Sequence, residues 1–199
     1  DKSMLFKSFS LLLSISLVTS CSFYSHHSMH SQTNLDSAYT HALEWTDPTL
    51  YKFPEAGSDE AKALLQQLES VFTKYTYENL AKQLPQVYAE RIYFRDAFVQ
   101  LDSAEALTKY MLKGVGAVDA VSFSFNHVMH SKGEYFIEWT MGIQFKGNSD
   151  METSIGMSRF RFNSEGRVIF HQDYWDPTTL IYEKIPIAKQ LIRFVQKRM

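Results

Sequence analysis

The chain has 199 residues, 45% of them hydrophobic and 15% aromatic, with a formal net charge of -2. That is enough apolar material for one globular domain with a real core plus some sequence outside it, and the near-balanced charge excludes a global electrostatic case for nucleic acid. Cys21 is the single cysteine, so no internal disulfide can form.

The N-terminus carries Lys2 and Lys7 ahead of an apolar run from Phe9 to Thr19. The run is shorter than the roughly 20 apolar residues that cross a bilayer, and it has the length of a signal-peptide core. It ends in Leu17-Val-Thr-Ser-Cys21, which resembles the bacterial lipobox. The resemblance implies cleavage before Cys21, lipid on that residue, and a protein held at the bacterial cell envelope, on the periplasmic face of the outer membrane. The competing expectation is an ordinary secretory signal with a chance cysteine. Residues 1–20 are thus expected to be a signal peptide and 21–57 a tether, opening with Ser, His and Gln and showing no apolar period. Trp45, Tyr51 and Phe53 leave open that the second half of the tether lies on the domain surface.

The domain is expected over 58–199. Ser58 reads as an N-cap, Asp59 and Glu60 complement the helix dipole, and Leu64, Leu65, Leu68, Val71, Phe72 and Tyr75 follow helical spacing. A second helix is predicted from Tyr77 to Leu84, with Pro85 ending it or opening a further turn through Ala89. Arg91 to Asp96 reads as a strand. Asp102-Ser-Ala-Glu105 is a capping-box pattern for a helix to Lys113, which Gly114 and Gly116 would terminate. Alternating strands follow over 118–131, 133–147, 151–163 and 167–175, the last two joined by an Asn163-Ser-Glu-Gly166 turn. Asp176-Pro177 predicts a closing helix, Pro186 interrupts it, and 187–199 reads as an amphipathic helix. Helices first and then antiparallel strands is an α+β pattern.

Two segments carry a family signal: Tyr88-Ala-Glu-Arg-Ile-Tyr-Phe-Arg-Asp96, and Ser158-Arg-Phe-Arg-Phe-Asn-Ser-Glu-Gly-Arg-Val-Ile-Phe-His-Gln-Asp-Tyr-Trp-Asp176. Together they resemble the nuclear transport factor 2-like superfamily, with its SnoaL-like and ketosteroid isomerase-like members. The resemblance covers 58–176 and implies a cone: a curved antiparallel sheet wrapped over N-terminal helices. Strand alternation puts His171, Asp173 and Trp175 on one face, which the resemblance makes the pocket face. It also puts Asp96 at the isomerase's general base, with Trp139 and Met141 as apolar wall. The isomerase's two oxyanion donors fall on Phe72 and Ser158 here. Phenylalanine donates no hydrogen bond, so steroid isomerisation is not expected. Asp96, His171 and Asp173 remain as candidate catalytic groups, because an imidazole beside a carboxylate suits proton transfer. The opposing expectation is that His171 and Asp173 only satisfy each other.

Three functions follow: a membrane-tethered domain binding a small apolar or lipid-like ligand in a pocket that includes Phe72, Trp139, Met141, Ser158 and Trp175; an isomerase, cyclase or hydrolase with Asp96 as base; or a homodimeric scaffold joined through the sheet. No cofactor and no metal site is expected. His26-His27-Ser-Met-His30 lies in the tether, and His127 and His130 point to opposite strand faces. Arg159 and Arg161 are expected on the outer, solvated or dimer-facing side, with Arg95 also outside the cavity. The last helix sets Lys189, Arg193, Lys197 and Arg198 against Ile187, Leu191 and Val195. Packing of that stripe on the domain is the preferred expectation, and an anionic membrane the alternative.

Overall fold

The computed structural model describes the backbone from residue 32 and side chains from residue 36; the signal peptide expected over 1–20, Cys21 and the His26–His30 motif lie outside the described residues. The described chain contains helices α1 (Gln32–Trp45), α2 (Asp59–Thr73), α3 (Tyr77–Val87), α4 (Ala104–Ala117) and α5 (Pro186–Gln196). Its strands are β1 (Tyr88–Arg95), β2 (Gln100–Ser103), β3 (Val118–Ser131), β4 (Glu134–Phe145), β5 (Glu152–Phe162) and β6 (Val168–Trp175). They form one six-stranded sheet in the order β2-β1-β6-β5-β4-β3. All neighbours are antiparallel except β1 and β6, which run parallel. The sheet curves without closing, and α2, α3 and α4 fill its concave face.

The predicted alternation holds on that face. Ile92 and Phe94 of β1, Ile137 of β4 and Phe160 of β5 are buried against Leu68, Val71 and Phe72 of α2, Leu80 and Leu84 of α3, and Leu107 and Met111 of α4. The helix starts are capped as their sequences suggest. Ser58 accepts from Ala61 N–H, Thr76 from Asn79 N–H, and Ser103, rather than Asp102, from Ala106 N–H. The β3–β4 hairpin turns at Lys132 and Gly133, both at positive φ (51° and 78°), a conformation that costs glycine little.

Several elements depart from expectation. Gly114 and Gly116 do not stop α4, which continues to Ala117. Two interior glycines cost about 1 kcal/mol each, and Lys146 Nζ, donating to Gly116 O at 2.7 Å, ties the last turn to the neighbouring hairpin. Pro85 sits within the last turn of α3, which ends at Val87. No regular helix follows Asp176-Pro177. The amides of Ile181 and Tyr182 both donate to Pro177 O, a turn that collapses into a 3-10 segment at Tyr182–Lys184. This segment places Leu180 against Trp139 and Met141.

Residues 32–57, within the span expected to be a tether, contain α1 and a 3-10 turn (Pro48–Leu50). Helix α1 lies on the convex face of the sheet, where Tyr39, Ala42, Leu43 and Trp45 pack on Tyr93 and Phe170. Phe53 then stacks on Phe162 at 4.7 Å. Arg159 and Arg161 do point outward, but they are neither solvated nor open to a partner. Both hold Glu134, and Arg161 also donates to Leu43 O and Thr46 Oγ1 at 2.9 Å, so α1 covers them.

Candidate active site

The site is built from the middle of β6 outward. His171, Asp173 and Trp175 face the concave side together, as the alternation predicts. His171 is 2% exposed. It stacks on Phe160 at 4.2 Å and lies edge-on to Phe94 and Phe72. Its Nε2 is 2.7 Å from Asp173 Oδ1, and its Nδ1 is 2.8 Å from the hydroxyl of Tyr88. A carboxylate only accepts, so Nε2 carries a hydrogen. Burial holds the Tyr88 phenol well above its ordinary pKa, so Tyr88 stays protonated and donates to Nδ1. Both ring nitrogens are therefore committed. His171 is a brace behind Asp173, which matches the opposing expectation that the two satisfy each other.

Asp173 Oδ1 accepts a second hydrogen bond, from Ser158 Oγ at 2.5 Å. Ser158 in turn accepts from the Trp139 indole Nε1 at 2.8 Å. Trp139 and Ser158, expected to line a pocket, are buried and support a carboxylate instead of presenting free surfaces. The indole reaches Ser158 because Gly156 has no side chain: a Cβ there would fall inside the ring of Trp139. Gly156→Ala should displace Trp139, break the Trp139–Ser158 bond, cost about 1–3 kcal/mol and shift tryptophan fluorescence. Unchanged stability and emission would refute this packing.

Asp173 Oδ2 has no hydrogen-bond partner among the described residues, and the side chain is 18% exposed. Asp96 stands just past the end of β1, next in register after the Arg95–Gln172 pair, and feels the charge of Asp173. Asp96 Oδ1 accepts from the amides of Phe98 and Val99, both at 2.8 Å, and Oδ2 accepts from the Tyr110 hydroxyl at 2.5 Å. Burial pushes the Asp96 carboxyl above the ordinary aspartate value, and the negative charge of Asp173 adds to this, against the lowering effect of its three hydrogen bonds. The expectation of Asp96 as a free base thus meets a carboxyl whose two oxygens already accept three hydrogen bonds.

Beside Tyr88, two further tyrosines complete the site, and neither was singled out from sequence as a site residue. Tyr75, just after α2, is raised by burial and then by Asp173 and Asp96. Tyr110, on α4, is raised by burial and the same two aspartates. Both phenols therefore stay protonated donors in the field of both carboxylates. Tyr75 stands three residues past Phe72, the position the resemblance gave to an oxyanion tyrosine. No described residue hydrogen-bonds its hydroxyl. It borders a cleft of about 270 Å³ lined also by Val115, Val118 and Val121. A signal for Tyr75 did exist, since it continues the helical apolar spacing of α2 just past its end; Tyr110, in the middle of α4, carried none.

The apolar walls are more closed than expected. Phe72 is buried between Phe123, Phe125 and His171. Met141 and Trp139 are covered by Leu180. Trp175 remains half-buried, edge-on to Phe98 at 5.8 Å. Asp96, Asp173, Tyr75 and Tyr110 are the polar groups that keep partial access.

No known family's sequence profile matches the chain, and no curated protein matches it. Solved structures do. An NTF2-like protein from Exiguobacterium sp. 255-15 is 12% identical, with 57% of this chain and 98% of that chain covered and a TM-score of 0.51. An NTF2-like protein from Burkholderia pseudomallei K96243 is 10% identical, with 59% and 94% covered and a TM-score of 0.52. AclR from Streptomyces galilaeus is 16% identical, with 61% and 92% covered and a TM-score of 0.50. The fold is therefore the nuclear transport factor 2-like cone, and at these identities the likeness extends to the fold alone.

Proposed function

We propose that the protein takes a small apolar or lipid-like molecule into the cone and carries out general acid–base chemistry on it, of the isomerase or hydrolase kind. One observation carries the reading. Asp173, braced by Ser158 and by a buried His171–Tyr88 pair, presents a free carboxylate oxygen near a second carboxyl, Asp96, whose pKa burial raises. A buried polar network costs stability relative to well-packed apolar residues, so its presence under a partly exposed carboxylate favours a functional role. Asp173 is the proton acceptor in this reading. The Tyr75 phenol is the donor that balances charge on the substrate, in place of the donors missing at Phe72 and Ser158. Val115, Val118 and Val121 form the approach.

Binding without turnover is the second reading, favoured by Leu180 closing the apolar end over Trp139 and Met141. Protein purified from its own host, analysed by native mass spectrometry for a retained small molecule, supplies the compound that separates the two. If the protein converts that compound, chemistry is supported. Retention with no conversion leaves the binding reading standing alone.

We also propose that Cys21 is lipidated and holds the domain at the cell envelope, on the motif Leu17-Val-Thr-Ser-Cys21. Labelled fatty acid should enter the wild-type protein and not Cys21→Ser; no label in the wild type would overturn the anchor. A homodimer through the sheet would have to use the part of the convex face that α1 leaves open, where Met129 and Ile155 are exposed.

A further inference from the structure

Helix α5 touches mainly the 3-10 segment before it, with Ala188 and Ile192 half-buried, and leaves most of its apolar side uncovered among the described residues. Ile187 is 74% exposed, Leu191 62%, Phe194 52% and Val195 54%, and no residue of the helix is buried. This reverses the preferred expectation that the stripe docks on the domain. At 100° per residue these four side chains share one face, while Lys189, Arg193 and Lys197 lie opposite or beside it and Arg198 stacks on the Phe194 ring at 4.1 Å. Residues 186–199 contain no aspartate or glutamate.

We propose that α5 is an interfacial helix that lies on an anionic lipid surface, its Ile187, Leu191, Phe194 and Val195 face in the acyl boundary and its Lys and Arg side chains among the headgroups. The charge pattern selects this occupant. An apolar face flanked only by cations suits anionic lipid, where each basic residue near the surface adds attraction. A second copy of the same helix would instead bring like charges together with no acid to offset them. The helix follows directly on the segment that carries Leu180 over Trp139 and Met141, so the bilayer would lie next to the covered end of the cone. This inference does not depend on the acid–base reading.

The test is co-sedimentation of the full chain with phosphatidylcholine vesicles, with and without an added phosphatidylglycerol fraction, at low and high salt. The wild type should bind the anionic vesicles at least roughly 10-fold more tightly, and salt should weaken that binding. Lys189→Gln/Arg193→Gln/Lys197→Gln should remove most of this anionic preference. Leu191→Ser/Phe194→Ser should lower binding to anionic vesicles by a similar factor. The variants alter exposed residues and the half-buried Lys189, none of them fully buried, so circular dichroism and Tm should match the wild type. Any anchor at Cys21 would contribute equally to all forms and to both lipids. Equal binding of the wild type to the two vesicle types would overturn the proposal. So would a wild-type dimer in sedimentation velocity that Leu191→Ser/Phe194→Ser dissociates without changing vesicle binding. Unchanged vesicle binding in both variants, as when the apolar run of residues 9–19 covers α5, would overturn it too.

Discussion

Glu134→Gln should cost about 3 kcal/mol, a drop in Tm of roughly 6–12 °C for a domain of this size. Glu134 is 12% exposed at the side chain, against 15% for Arg159 and 8% for Arg161. Its two oxygens accept from Arg159 Nε and Nη2 and from Arg161 Nε. Burial pushes the carboxyl up, but the hydrogen bonds and charges of the two arginines outweigh it and hold it below its ordinary value. A depressed carboxyl contributes stability above its unfolded pKa and loses it as pH falls through the folded value. The difference between wild type and Glu134→Gln should therefore be largest near neutrality and shrink below about pH 4.5, the ordinary glutamate value. The variant leaves two guanidinium groups under α1 without their counter-ion. Arg161 also holds Leu43 O and Thr46 Oγ1, so loss of α1 protection in hydrogen exchange should accompany the drop in Tm. A loss under about 0.5 kcal/mol, the scale of an exposed pair, would mean that α1 is not seated on this cluster.

Period and parity were enough to read most of the sheet. Tyr135, Ile137, Trp139 and Met141 alternate along β4, and His171, Asp173 and Trp175 along β6, because a half-covered strand records its inner face in every second residue. The parts that were not legible depend on neighbours distant in sequence. Helix α1 has an apolar side only as wide as the Tyr93–Phe170 stack it covers, so it read as tether. Strand β2 spans Gln100–Ser103, too short to show alternation. Tyr88 looked like the lead-in to a strand, and only the fold puts its hydroxyl on His171, 83 positions away. His171 itself was found, but its role stayed open: two free ring nitrogens and two committed ones look alike in sequence. Leu180 was read as part of a helix, and it is the turn at Pro177 that sends it onto Trp139.

Asp173→Asn should keep the fold and lose the chemistry. The amide oxygen can still accept from Ser158 and His171 at the inner position, so the brace survives. The outer atom becomes an NH₂ group that donates and cannot take a proton. Turnover of the retained compound should fall by roughly 10²–10⁴ with its binding little changed, and unaltered turnover would remove Asp173 as the base. Asp96→Asn has a separate signature. A carboxyl raised by folding contributes stability at low pH that is lost as pH climbs from the ordinary value of 3.8 through the folded one. Asp96→Asn lacks that loss, so it should gain on the wild type as pH rises toward neutrality.

That two carboxyls share one site, the charge of Asp173 acting on Asp96, can be measured without any substrate, by carboxyl-detected NMR titration of Asp96 in the wild type and in Asp173→Asn. Asp96 should titrate above the ordinary 3.8 in the wild type, and lower in Asp173→Asn, where the neighbouring negative charge is gone. An Asp96 that titrates at or below 3.8, or that does not move when Asp173 is neutralised, would contradict the paired site.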